Sequence, residues 1–196
     1  MVTPNGTIND LKLGVPGLYN VENAVAASAA ALQQGVTEVE LREGLNSFSG
    51  VVRRFDVRYR GNKVVYIDDY AHHPEELRAA ITSVKEMFPV RKISGIFQPH
   101  LFTRTRDFTK EFAQSLDLLD KVYLLDIYPA REEPIPGITS NSILNLMECP
   151  DKKIYSKEEL LNQIKTDDID VIVSMGAGDI DKLVPEIEKI LTNRQL

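Results

Sequence analysis

Two kinds of hydrophobic spacing alternate along this chain from about Lys63 onward. Lys63–Ile67, Lys92–Phe97, Lys121–Ile127 and Asp170–Ser174 are short and rich in Val, Ile and Leu. Such runs suit strands buried on both faces of a parallel sheet. Between them lie segments of helical period. Pro74–Phe88 opens with proline at a first helical position, followed by Glu75 and Glu76, acids that favour a helix N-terminus. Arg106–Leu119 sets Phe108, Phe112, Leu116 and Leu119 on one face. Ser156 and Glu159 have the spacing of a capping box. Asp181–Leu191 spaces Leu183, Ile187 and Ile190 for burial, and tolerates Pro185 only near its start. This alternation predicts an α/β fold: a Rossmann-like, mainly parallel sheet flanked by helices, with right-handed crossovers.

The first fifty residues follow another pattern. Asn20–Leu32 is dense in alanine, a strong helix former, and Gly35 ends it. Thr37 and Glu40 form a second capping box, leading a helix expected to bury Val39, Leu41 and Leu45. Two helices and a leading loop enclose too little core to stand alone. Residues 1–47 therefore read as the tail of a preceding domain and 48–196 as a complete one. No internal repeat or low-complexity tract interrupts either part.

Composition narrows the picture. At 196 residues and 43% hydrophobic content the chain has material for a real core. A formal net charge of −6 argues against a nucleic-acid groove, which needs clustered cations, but leaves room for a nucleotide. A lone cysteine, Cys149, forms no internal disulfide and suits a reducing cytoplasm. No run approaches the roughly 20 apolar residues of a membrane span, and the N-terminus lacks the basic start and apolar stretch of a signal peptide. The expectation is a soluble, cytoplasmic protein with no nucleic-acid or membrane partner.

In a parallel α/β sheet, ligands bind beyond the carboxyl ends of the strands. The loops expected there hold Asp68-Asp69-Tyr70-Ala71-His72-His73, then Gln98-Pro99-His100 through Arg104 and Arg106, then Tyr128 to Glu133, then Gly176-Ala177-Gly178-Asp179. All three histidines of the chain fall in the first two loops. The carboxylates suit ribose hydroxyls or a helix cap equally well. Adjacent Asp and His residues diverge too much to make a good metal cage. Arg104 and Arg106 sit near a helix start, where anions gather, and a guanidinium fork suits a carboxylate or phosphate. Gly176-Ala177-Gly178 lacks the third glycine of a dinucleotide fingerprint and reads as a tight turn. Arg53-Arg54 reads either as a solvated linker pair or as a reach toward a phosphate.

Taken in order, these loops resemble the Mur ligase family. The markers are Gly17-Leu18-Tyr19-Asn20-Val21-Glu22-Asn23-Ala24, Arg53-Arg54-Phe55, Asp68 to Pro74, Gln98-Pro99-His100, Thr103-Arg104-Thr105-Arg106-Asp107 and Gly176 to Ile180. The paired histidines and the Gln-Pro-His loop resemble the branch that adds L-alanine to UDP-N-acetylmuramate. The resemblance implies an ATP-dependent, Mg2+-assisted ligase of peptidoglycan precursor synthesis, working through an acyl phosphate. It implies that residues 1–47 end a central ATP-binding domain and that 48–196 form the closing carboxy-terminal domain. By position, Asn20 and Asn23 face adenine, Arg54 reaches the ATP phosphates and Asp69 lies near the ribose. Tyr70, His72, His100, Arg104 and Arg106 surround the amino acid, with His72, His100 and Arg104 closest to the chemistry; which group takes the amine proton stays open. The chain departs from the family pattern at Tyr19, where His is usual, and at Leu101-Phe102, where Arg-Tyr is common. It holds no Gly-x-x-x-x-Gly-Lys-Ser/Thr loop, so the missing amino-terminal and central domains are expected partners, and the chain alone is expected to be inactive. A homodimer is expected if the alanine-rich helix is left bare. Two other readings remain: a recycling ligase that attaches a peptide to the same sugar, and a non-catalytic module binding a nucleotide or anion.

Overall fold

The computed structural model describes residues 1–4 and 6–194. Its contacts divide the chain into two compact units, Met1–Val52 and Arg53–Leu196, a division slightly beyond the 47/48 line drawn from the sequence.

In the first unit a short antiparallel pair, β1 (Val2–Thr3) and β2 (Gly6–Thr7), precedes helices α1 (Leu18–Gln33) and α2 (Glu38–Ser47). Gly35 turns the chain after α1 with φ +87°, a conformation glycine adopts without a Cβ penalty. Thr37 then caps α2: its hydroxyl accepts the Glu40 N–H at 3.3 Å, and its own N–H donates to Glu40 Oε2 at 2.8 Å. Leu41 is buried and Leu45 half-buried, but Val39 is 65% exposed. Val39 and Leu41 lie two residues apart, about 200° around the helix, so only one of them can face inward.

In the second unit the elements run β3 (Asp56–Arg60), β4 (Val65–Asp69), α3 (Pro74–Met87), β5 (Ile93–Phe97), α4 (Phe102–Asp107), α5 (Thr109–Leu116), β6 (Lys121–Leu125), α6 (Ser140–Leu144), β7 (Lys152–Tyr155), α7 (Lys157–Thr166), β8 (Val171–Met175) and α8 (Val184–Asn193). A single 3-10 turn, Asp179–Leu183, leads into α8. The six-stranded sheet has the order β3-β4-β8-β5-β6-β7, with only β3 antiparallel to its neighbour. The fold is therefore the expected mainly parallel α/β sheet flanked by helices.

Successive strand residues point to opposite faces, and β5 shows where each face goes. Phe97 meets Phe112 of α5 with ring centroids 5.3 Å apart. Ile96 joins the cluster of Leu160 and Ile164 from α7 and Ile187 and Leu191 from α8. Helix α5 packs on both α3 and α6, and α7 packs on α8. The chain thus leaves β4 and β5 toward the α3–α5 layer but leaves β8, which lies between them, toward α8. Neighbouring strands whose connections part in this way open a crevice at their carboxyl ends. That crevice is where the histidine-bearing loops lie.

Candidate functional site

The two aspartates ending β4 are both buried, Asp68 held by side chains and Asp69 by backbone N–H groups. Asp68 accepts Arg53 Nε at 3.0 Å and the Ser174 hydroxyl at 2.5 Å. Burial pushes its carboxyl above the usual range, with Ser174 and Arg53 pulling partly back. Arg53 also donates to the Gly176 carbonyl at 2.6 Å, so it ties the ends of β4 and β8 together. Asp69 accepts the N–H groups of Phe55 and Ala71, each at 2.8 Å. These bonds hold a sharp loop in which Arg53 (φ +62°) and Phe55 (φ +51°) adopt the left-handed conformation disfavoured for side chains with a Cβ. The arginine doublet is thereby split. Arg53 turns inward as a brace, while Arg54 is exposed, with its guanidinium 5.6 Å from the centre of the Tyr70 ring.

From Tyr70 a row of rings crosses the strand ends. Tyr70 and His72 meet edge to face at 5.1 Å, His72 and His100 at 6.2 Å, and His100 stacks on Tyr128 at 5.8 Å. The rings come from the loops after β4, β5 and β6, and backbone pairing fixes their spacing. Tyr128 donates its N–H to the Pro99 carbonyl at 2.8 Å, and Leu101 donates to the Tyr128 carbonyl at 2.9 Å. Leu101 bends the chain with φ +73° so that α4 can begin at once. One turn into α4, Arg104 brings Nη1 to 3.4 Å from His100 Nδ1. Burial, with Arg104 and His72 adding to it, holds His100 below the usual histidine range. His72 Nδ1 lies 3.0 Å from the Tyr70 carbonyl and 3.2 Å from Glu76 Oε2.

Tyr70, His72, His100 and Arg104 are thus brought together, with Arg54 at the end of the row. Arg106 is exposed and pairs with Asp107 at 2.7 Å, outside the row of rings. Asn20 and Asn23 both lie on α1 of the first unit, where Asn20 donates its amide to the Pro16 carbonyl and Asn23 is exposed. The Gly176-Ala177-Gly178 turn is a packing device. A Cβ on Gly176 would come within 2.8 Å of the Gln98 carbonyl, and one on Gly178 within 2.6 Å of Tyr128 Cβ. Gln98 joins that turn to β5: its amide donates to Asp179 at 2.9 Å and its carbonyl accepts the Ile180 N–H at 2.9 Å. Among the described residues no group of three or more His, Cys, Asp or Glu is placed to hold a metal ion.

The contacts of three residues of this site are not legible in the sequence, although Tyr128 and Glu132 fall in one of the loops expected at the strand ends. Glu76 was read only as a helix-start acid, yet its carboxylate faces His72. Tyr128 carried no signal of its stack on His100. Glu132 accepts the Thr103 N–H at 3.0 Å and so anchors the start of α4. Only the three-dimensional pairing of loops reveals these contacts.

A row of rings and cations across the carboxyl ends of the strands marks a candidate site on an α/β domain of Rossmann-like build. The family description "Mur ligase, glutamate ligase domain" matches residues 53–178. This chain belongs to the Mur ligase family. It is 54% identical over 96% of its length to a UDP-N-acetylmuramate–L-alanine ligase of Porphyromonas gingivalis, and 49% identical over 98% to the one from Phocaeicola vulgatus. It covers 41% and 42% of those proteins, so the chain spans about two-fifths of the curated relatives it matches. Among solved structures, a UDP-N-acetylmuramate-alanine ligase of Thermotoga maritima superposes with a TM-score of 0.76 at 30% identity, over 94% of this chain and 40% of that one. A murein peptide ligase of Psychrobacter arcticus shares the fold with a TM-score of 0.65 at 24% identity, over 93% and 39% respectively. No helix among the described residues is long and apolar enough to cross a membrane.

Proposed function

We propose that this chain is the carboxy-terminal part of a cytoplasmic ligase that joins L-alanine to UDP-N-acetylmuramate at the expense of ATP, in peptidoglycan precursor synthesis. The observation that carries this reading is the meeting of Tyr70, His72, His100 and Arg104, from two strand-end loops, at the carboxyl ends of β4 and β5. An amino acid presents an anion and an amine a few ångströms apart, and this crevice offers a guanidinium beside two imidazoles. Arg104 holds the carboxylate through its planar fork, with Arg106 as a more distant cation at the rim. Arg54 meets the ATP phosphates, where fixed positive charge stabilises the transferring group. Asp69 braces the loop at the nucleoside end, and Asn20 and Asn23 read the adenine edge, a task suited to amides that both donate and accept. Residues 1–47 belong to the ATP-binding domain, and 48–196 form the carboxy-terminal domain, whose role is to shield the acyl phosphate from water. Among the described residues no three His, Cys, Asp or Glu are placed to hold magnesium.

The test is an assay of the full-length protein with ATP, UDP-N-acetylmuramate and either L-alanine or a tripeptide. Amide formation with alanine supports the reading. Preference for the tripeptide assigns the protein to peptide recycling, and retained nucleotide binding without amide formation marks it as a non-catalytic module. This chain alone, without a phosphate-binding loop, is expected to form no amide.

A further inference from the structure

The two central histidines present Nδ1 to opposite kinds of partner. Around His72 Nδ1 stand the Tyr70 carbonyl at 3.0 Å and Glu76 Oε2 at 3.2 Å. A carbonyl and a carboxylate only accept, so the ring nitrogen between them carries the proton. The lone pair of His72 is then on Nε2. His100 is the reverse. Its Nδ1 faces Arg104 Nη1 at 3.4 Å, and a guanidinium only donates, so Nδ1 carries the lone pair and Nε2 the proton.

We infer that His72 Nε2 takes the proton from the incoming amine, that Glu76 is the positioning residue fixing its tautomer, and that His100 serves as a neutral N–H donor. The inference rests on the amino-acid site proposed above. Glu76 is placed for its task by the helix it begins. As the third residue of α3 it accepts the N–H groups of the N-cap His73 (3.1 Å) and of His72 just before it (2.9 Å). That double bond of cap to backbone leaves the same oxygen facing the His72 ring. Burial raises the Glu76 carboxyl, but those N–H groups, His72 and Arg54 outweigh it, and Glu76 stays ionised well below neutrality. His100 is unsuited to accept the proton: burial and the adjoining Arg104 cation both oppose its imidazolium.

The step balances. An amino acid arrives as an ammonium ion and gives one proton to His72 Nε2. The freed lone pair attacks the carbonyl carbon of the acyl phosphate. The C–N bond forms as the bond from that carbon to the phosphate oxygen breaks, and the second amine proton leaves on hydrogen phosphate. One N–H remains on the amide, and the imidazolium returns its proton to water. The titratable and charged groups around His72 are Tyr70 on its own loop, Glu76 on α3, His100 on the β5 loop and Arg104 on α4, with Arg54 and Glu132 further out.

The experiment uses the full-length protein and begins with the wild type. Absence of alanine ligation there defeats the functional reading and not the tautomer assignment, which nitrogen-15 NMR of the histidine rings reads independently. With ligation established, Glu76→Gln keeps an oxygen for the two backbone N–H groups but removes the anion beside Nδ1. Its kcat should fall roughly 10–100-fold, the range for a partner that orients a working imidazole, with KM for alanine little changed. The acid limb of its pH profile should move to lower pH, because removing the anion destabilises the imidazolium. The NMR spectrum of the wild type should show His72 protonated on Nδ1 and His100 on Nε2. A wild-type His72 protonated on Nε2, or a Glu76→Gln enzyme with unchanged kcat and pH profile, overturns the inference; the NMR result decides even where the variant fails to fold.

Discussion

Arg104 carries five N–H donors in a fixed fork, and one of them points at the His100 ring. Its partner in the proposed complex is the amino-acid carboxylate. The resemblance leads one to expect Arg-Tyr where this chain has Leu101-Phe102, so the proposed site would hold one cation fewer and lean more on Arg104. In the full-length enzyme Arg104→Ala should raise KM for alanine by about 10–100-fold, the equivalent of roughly 1.5–3 kcal/mol for a hydrogen bond to a charged group. Arg104→Lys should restore little of it, since an ammonium cannot reproduce a two-pronged contact. Steady-state kinetics with varied alanine checks both. His100 makes a separate prediction about stability. Its folded-state pKa lies below the unfolded value because of burial and Arg104, so the unfolded chain binds more protons as pH falls. Stability should therefore decline as pH drops below about 6.5, the ordinary histidine value. His100→Gln should flatten that decline in denaturant melts taken from pH 7.5 to 5.5.

Elements differ in how plainly the sequence announced them. The buried strands β4, β5, β6 and β8 stood out because both faces are covered and the runs are almost wholly apolar. Edge strands β3 (DVRYR) and β7 (KKIY) were missed, since a strand with an open side carries the charges that protect it from mispairing. The single helix read over 106–119 is two, α4 and α5, parted at Phe108, whose φ of −122° leaves the helical region. Phe112 and Leu116 kept their buried face through that break. The site was legible as residue types at strand ends, because loop chemistry is local. The Tyr128 stack and the Glu76 backing were not, because each joins segments whose register only the folded sheet sets. Capping was legible to the residue: Ser156 accepts the Glu159 N–H at 3.2 Å and donates its own N–H to Glu159 at 2.8 Å. Ser156→Ala should cost about 1 kcal/mol of unfolding free energy in urea titration, the usual price of a lost N-cap. Because α7 packs against α8 and the sheet, the loss should appear in the midpoint with little change in slope.

For the whole molecule, the notable imbalance lies in the first unit. Leu18, Val21 and Val25 fall at helical spacing on α1 and are 58%, 48% and 47% exposed. Val25 also lines, with Leu32 and Val36, a groove of about 640 Å3 that the segment Met1–Thr3 borders. Apolar surface gathered along one helix favours burial against another surface at roughly 25 cal/mol for each Å2 covered. The curated relatives are more than twice as long as this chain, and in a full-length protein that stripe has other segments available to cover it. In the isolated chain a second copy is the nearest apolar partner. The isolated chain should therefore self-associate as its concentration rises, with a mass above 22.0 kDa in light scattering. Val21→Glu with Val25→Lys should return it to the monomer mass without altering the melting of the second unit, whose core lies elsewhere. The full-length protein should show a weaker concentration dependence. A chain that stays monomeric at every concentration, with or without the two substitutions, would mean that this stripe is too narrow to hold a partner.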